Sequence, residues 1–205
     1  MNPTLESSII SAGVALLVVL IGQVLVPIIR EHFALGRDAK YLAIRIVCIL
    51  DKYVEDCAST AIDSGEEDAK GYTISQVEAP PAPTYPSDVN WKSINNTTMY
   101  KILALPAAAD RAANYVSGST ENSFAPDFSQ WFEARSHQYS LLGLQANELT
   151  VELRRKYGIQ EIPNREWDPV ERLKGELKQI EDRHKKNAAA WEEKHLTLPP
   201  VPTAD

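Results

Sequence analysis

Hydrophobic positions are distributed along this chain in two distinct ways. From Ile9 to Ile29 they form a near-continuous run of 21 residues with no charge, in which Ser11 and Gln23 are the clearly polar members. Beyond it they recur at steps of three and four, separated by charged residues, as the faces of amphipathic helices do.

The continuous run predicts a membrane-spanning helix, because 21 residues at 1.5 Å each cover roughly 30 Å, the thickness of a bilayer's hydrocarbon core. A cleaved signal requires a basic flank before the run and a small-residue cleavage site after it. Met1 to Ser8 carries Glu6 and no Lys or Arg, and the run closes on "VPIIREHF". The expectation is an uncleaved single-pass anchor over residues 9–29, behind a short tail of residues 1–8. Arg30, Arg37, Lys40 and Arg45 all follow it, which places the N-terminus outside and the rest of the chain on the cytoplasmic side of the inner membrane. Pro27 falls near the end of the span, and Gln23 is a candidate for contact with another helix.

Residues 30–63 read as a juxtamembrane amphipathic helix. Ala43, Val47, Leu50, Val54, Cys57 and Ala61 share its apolar face, and an interruption is expected around Gly36. Residues 64–90 hold four of the thirteen prolines. "APPAPTYP" cannot continue a helix, so this stretch is a Pro-rich linker or wrapping loop, with Gly71 to Val77 its plausible extended element. Pro80 and Pro83 have PxxP spacing without the basic neighbour that polyproline recognition favours.

Residues 91–195 read as a helical module. One helix runs from about Thr97 to Val116, interrupted at Pro106, with Met99, Ile102, Ala109, Ala113 and Val116 on one face. The next runs from Phe128 to Tyr157, with Phe132, Arg135, Tyr139, Leu142, Ala146, Leu149 and Leu153 at coiled-coil-like spacing. Tyr139, Leu142, Leu149 and Leu153 are its candidate helix-interaction positions, inside its own bundle or against another chain. Gly158 and Pro163 supply a stop. Asp168, Pro169 and Glu171 read as an N-cap, a first-turn proline and a capping-box partner for the last helix. That helix carries Val170, Leu173, Leu177, Ile180, His184 and Trp191 on one face, before an exposed tail of residues 196–205. The predicted class is all-α: one transmembrane helix, then a helical bundle with a Pro-rich connection.

Charge changes the picture by exclusion. There are 28 acidic against 21 basic residues, and every Lys and Arg follows residue 29. No basic stripe of the kind that phosphate contacts need is present, which argues against nucleic acid as a partner. Cys48 and Cys57 lie nine positions apart, on opposite faces of one helix, so they read as two apolar, unpaired thiols.

Candidate chemistry is sparse. Carboxylate-bridged metal bundles carry ExxH pairs on two different helices, whereas Glu181/His184 and Glu192/His195 share one. Glu133 and His137 read as a surface pair, and His32 as a hydrated ring. There is no phosphate loop, nucleophile elbow or HExxH, so neither a catalytic residue nor a cofactor or metal is assigned. Trp91, Trp131, Trp167 and Trp191 read as packing. The expected function is a membrane-anchored interaction or scaffold module that contacts an unknown protein partner or a second copy. A ligand sensor with a pocket of Met99, Tyr100 and Trp131 is one alternative, and an enzyme whose site is assembled in space is the other.

Overall fold

The computed structural model describes residues 21–161 and 167–196. Four α-helices carry the fold: α1 (Val26–Ile62), α2 (Asn96–Ser119), α3 (Ser129–Tyr157) and α4 (Pro169–Leu196). A minimal antiparallel pair, β1 (Glu66–Glu67) with β2 (Thr73–Ile74), sits between α1 and α2, with Glu66 opposite Ile74 and Glu67 opposite Thr73. α3 is the hub. It packs against α1, α2 and α4, and α1 also packs against α4.

Cross-helix bonds show that α3 runs antiparallel to all three neighbours. Against α1, Arg154 pairs with Asp51 and Arg135 with Asp63. Against α2, Glu152 near the end of α3 accepts from Thr98 and Lys101 near the start of α2. Against α4, the start of α3 places Glu133 beside His184, and its middle places Gly143 beside Leu173. Gly143 is what allows that last approach. A Cβ there would stand 2.6 Å from Leu173 Cδ1 and 3.0 Å from Cys57 Cβ, so three helices meet where one lacks a side chain.

The core follows from the stepped apolar positions. Leu42, Ile46 and Leu50 of α1, Ile102 and Leu105 of α2, Leu153 of α3, and Leu173 and Ile180 of α4 are its largest fully buried side chains. The α1 face read from the sequence is buried throughout, and Leu42, Ile46, Tyr53, Ala58 and Thr60 widen it. On α2, Ala113 is exposed and Ala112 and Leu105 take the inward positions. α2 also passes through Pro106 without dividing.

Local chemistry explains the helix ends. Asn95 caps α2 by accepting from the Thr98 N–H at 2.7 Å. Gly158 closes α3 in the left-handed conformation, φ 62°, and donates to the Arg154 carbonyl. Asp168 Oδ1 accepts from the Val170 and Glu171 N–H groups at the start of α4. The capping box is not reciprocated as read, because the Glu171 carboxylate turns to Lys174 at 2.9 Å. Pro126 and Asp127 lie before α3, which begins at Ser129.

The membrane reading is corrected. Residues 9–20 of the expected span, like the tail of residues 1–8, lie outside the described residues. The described part, from Ile21, is a π turn over Ile21–Leu25 that leads into α1 across Pro27, which has no N–H to donate. There is no interruption at Gly36: α1 is one helix, and Arg30, Glu31, Arg37, Asp38 and Lys40 enter it within three turns. Among the described residues no helix is long and apolar enough to cross a membrane. The single-pass anchor, the inner-membrane location and the N-out orientation are therefore withdrawn.

The Pro-rich stretch does not hang free as a linker. Pro83 is buried, and Ala79, Ala82, Tyr85, Val89 and Trp91 pack onto the core, Tyr85 meeting Trp91 edge to face at 6.0 Å. It forms a strap across the bundle, pinned at its far end by Arg45 to Asp88 (2.9 Å) and Asn90 to Asp38 (3.2 Å).

Candidate functional site

The surface that stands out is the N-terminal third of α1. A single apolar stripe runs along this helix in steps of three and four: Leu25, Ile28, His32, Leu35, Ala39, Leu42, Ile46, Leu50, Tyr53, Cys57 and Thr60. From Ala39 onward the positions of this stripe are buried by α3, α4 and the strap. Before Ala39 nothing in the described chain covers it. Leu25 is 52% exposed, Ile28 58% and Phe33 69%, with Val26, Ile29 and Leu35 also open.

The bundle ends where the strap ends, at the Asn90 to Asp38 bond, and α1 continues for about 18 Å beyond it toward Val26. At about 100° per residue, Leu25, Val26, Ile28, Ile29, Phe33 and Leu35 occupy one half of the helix circumference. Arg30, Glu31, Arg37 and Asp38 occupy the other half, all exposed. An amphipathic helix of this width normally buries its apolar half against another element.

The four basic residues read as topology signals have different settings. Arg30 and Arg37 are exposed on the projecting turns and Lys40 is exposed just inside the bundle, while Arg45 is half-buried and bound to Asp88, whose carboxylate raises the guanidinium's pKa. Gln23 is exposed in the π turn. Tyr139, Leu142, Leu149 and Leu153 do not reach the surface: all four are buried within this chain's own core.

A second polar feature lies inside the bundle. Arg135 and Asp63 form an ion pair at 3.0 Å with side chains only 3% and 5% exposed. Arg135 also donates to the carbonyls of Thr60 and Val77, and its guanidinium lies 5.4 Å from the centre of the Trp131 ring. Asp63 accepts from the N–H groups of Gly65, Gln76 and Val77. Burial works to raise the Asp63 pKa, but the N–H bonds from Val77 and Gly65 and the Arg135 guanidinium outweigh it and hold the carboxyl below its ordinary range. With both side chains almost fully buried, the pair acts as a clasp joining the end of α1, the strap and α3.

Other polar groups stay dispersed. Glu133 does not pair with His137 as read from the sequence; it reaches across to α4, to His184 Nε2 at 2.7 Å and Arg183 Nε at 3.3 Å. Among the described residues, no three His, Cys, Asp or Glu side chains are arranged to hold a metal ion. His195 belongs to a stretch whose side chains are not described. Met99 and Trp131 are not brought together either. Met99 adjoins the Thr98 to Glu152 bond, and Trp131 lies some 30 Å further along α3 by helical rise.

The two thiols differ more than their composition suggests. Cys48 is exposed, while Cys57 is buried, and burial pushes its pKa up to about 12. A thiol reagent added to the native protein is expected to modify Cys48 promptly and Cys57 only as the chain unfolds, because the thiolate is the reactive form. Equal labelling of both in native buffer, read by mass spectrometry, would contradict this placement.

No protein-family model matches this chain, and no curated protein or solved structure is similar to it at a level that carries an argument.

Proposed function

We propose that this chain is a helical protein-interaction module whose contact surface is the projecting apolar half of α1. The observation that supports it is the continuity of one stripe: the spacing that buries Ala39 to Thr60 against this chain's own helices persists at Leu25, Ile28 and Leu35, where the described chain offers no neighbour. Extended apolar area left open on a folded body marks a site of association. A partner of matching chemistry presents an apolar helix or groove, as helix-in-groove complexes do. Such a surface on another protein or on a second copy satisfies the stripe equally.

The test is affinity purification of the full chain beside its Ile28→Asp and Phe33→Asp variants. Both positions are exposed, so each variant is expected to keep the wild-type circular dichroism and melting temperature. It is expected to lose the stoichiometric species, a tagged second copy included, that the wild type retains. Recovery of the same set of proteins by all three would refute the proposal.

A further inference from the structure

Charge is not spread evenly around the projecting part of α1. At about 100° per residue, Glu31 and Asp38 lie about 60–80° from Ile28, on the immediate edge of the apolar stripe, whereas Arg30 and Arg37 lie about 160–180° from it, on the far side of the helix. All four are exposed. Asp38 accepts from the Asn90 amide, a neutral donor that leaves its charge in place. The opposite edge is apolar through Ile29 and Phe33, with Lys40 following where the bundle begins. An element laid on the stripe therefore meets carboxylates along one side, while both guanidinium groups point away from it.

A second copy of the chain fits this edge poorly. From Ala39 onward α3, α4 and the strap occupy the stripe's side of α1, so a copy running in the same direction would drive its own α1 into them. It has to run antiparallel, and a twofold axis across an antiparallel pair sets each edge against itself. Glu31 and Asp38 would then face the same two residues of the other copy, and like charges juxtaposed in an interface are unfavourable. Taking the stripe as the contact surface, as the proposed function does, we propose that its occupant is an amphipathic helix of a different protein, apolar along one face and carrying Lys or Arg on the edge that meets Glu31 and Asp38. Edge charges of this kind set partner choice and orientation in paired helices. The chain's net charge of −7 acts in the same sense, by drawing a basic partner toward it.

The test uses two labelled peptides of about three heptads, both with Ile and Leu along the seam, one with Lys and the other with Glu on its edges, so that each repels its own copies. Binding is read by fluorescence anisotropy at low salt, where edge charges are least screened. The peptides are added to the full chain, to its Ile28→Asp variant and to its Glu31→Lys/Asp38→Lys double variant, and each chain is also sedimented alone. The wild type should bind the Lys peptide about tenfold more tightly than the Glu peptide, the double variant should prefer the Glu peptide, and Ile28→Asp should bind neither. Each Lys substitution adds two positive charges, which leaves the double variant at a net −3, so attraction to overall charge alone would keep its preference for the Lys peptide. That result, or a wild type that does not distinguish the peptides or binds neither, overturns the proposal. A wild-type dimer that Ile28→Asp abolishes gives the stripe to a second copy, which overturns the partner assignment and leaves the contact surface standing. Lys-peptide binding that Ile28→Asp does not weaken removes the contact surface as well.

Discussion

Asp63→Ala is expected to lower the free energy of unfolding by about 3–5 kcal/mol, the usual cost of removing one partner from a buried ion pair. Three backbone N–H groups and one guanidinium lose their shared acceptor together, and the Arg135 charge stays in the core with two carbonyls and the Trp131 face. Denaturation in urea, followed by circular dichroism, measures the loss. A change below about 1 kcal/mol would mean that the clasp is not closed in solution. Arg135→Leu combined with Asp63→Ala should cost less than the two single changes summed, since removing both charges leaves neither stranded.

The same pair sets a pH dependence. The folded-state pKa of Asp63 lies below its ordinary value of 3.8, so its contribution is fully present above that value and is lost as pH falls through the depressed one. Wild-type stability should therefore decline on acidification below about pH 4 more steeply than that of Asp63→Ala, which has no such group to protonate.

The second large effect belongs to the α3 seam. Leu153 is fully buried, and Leu153→Ala is expected to cost about 2–5 kcal/mol from lost transfer energy and the cavity left behind. Leu141, on the same helix but 45% exposed, is the control, and Leu141→Ala should shift stability by no more than about 0.5 kcal/mol. Denaturation midpoints at low and high protein concentration complete the test. The midpoint loss in Leu153→Ala should be independent of concentration, because the seam is closed within one chain. A loss that disappears at high concentration would place Leu153 at a contact between chains.

Much of the helical organisation was legible residue by residue. The three- and four-step faces of α1, α3 and α4, the cap at Asp168, the stop at Gly158 and the non-helical Pro-rich stretch are local signals, carried by side-chain spacing and by the chemistry of helix ends. Contacts between distant segments were not legible. Arg135 occupies an apolar-face position in the α3 pattern, and nothing in its neighbourhood indicates Asp63, 72 positions earlier, as its partner. His184 and Trp191 continue the α4 stripe in sequence yet are exposed: among the described residues the buried positions of α4 end at Ile180.

The apolar opening marks the same limit from the other side. Leu25, Ile28 and Leu35 belong to one stripe with Leu42 and Ile46, and the sequence alone determined that they share a helical face. Hydrophobicity specifies that a side chain prefers to leave water but not what receives it, since burial is non-directional. Lipid, a neighbouring helix and a partner satisfy the same residues. Tertiary structure decided the matter for Ala39 to Thr60, where α3, α4 and the strap converge. It left Leu25 to Leu35 open because the described bundle ends at the level of Asp38, and α1 does not.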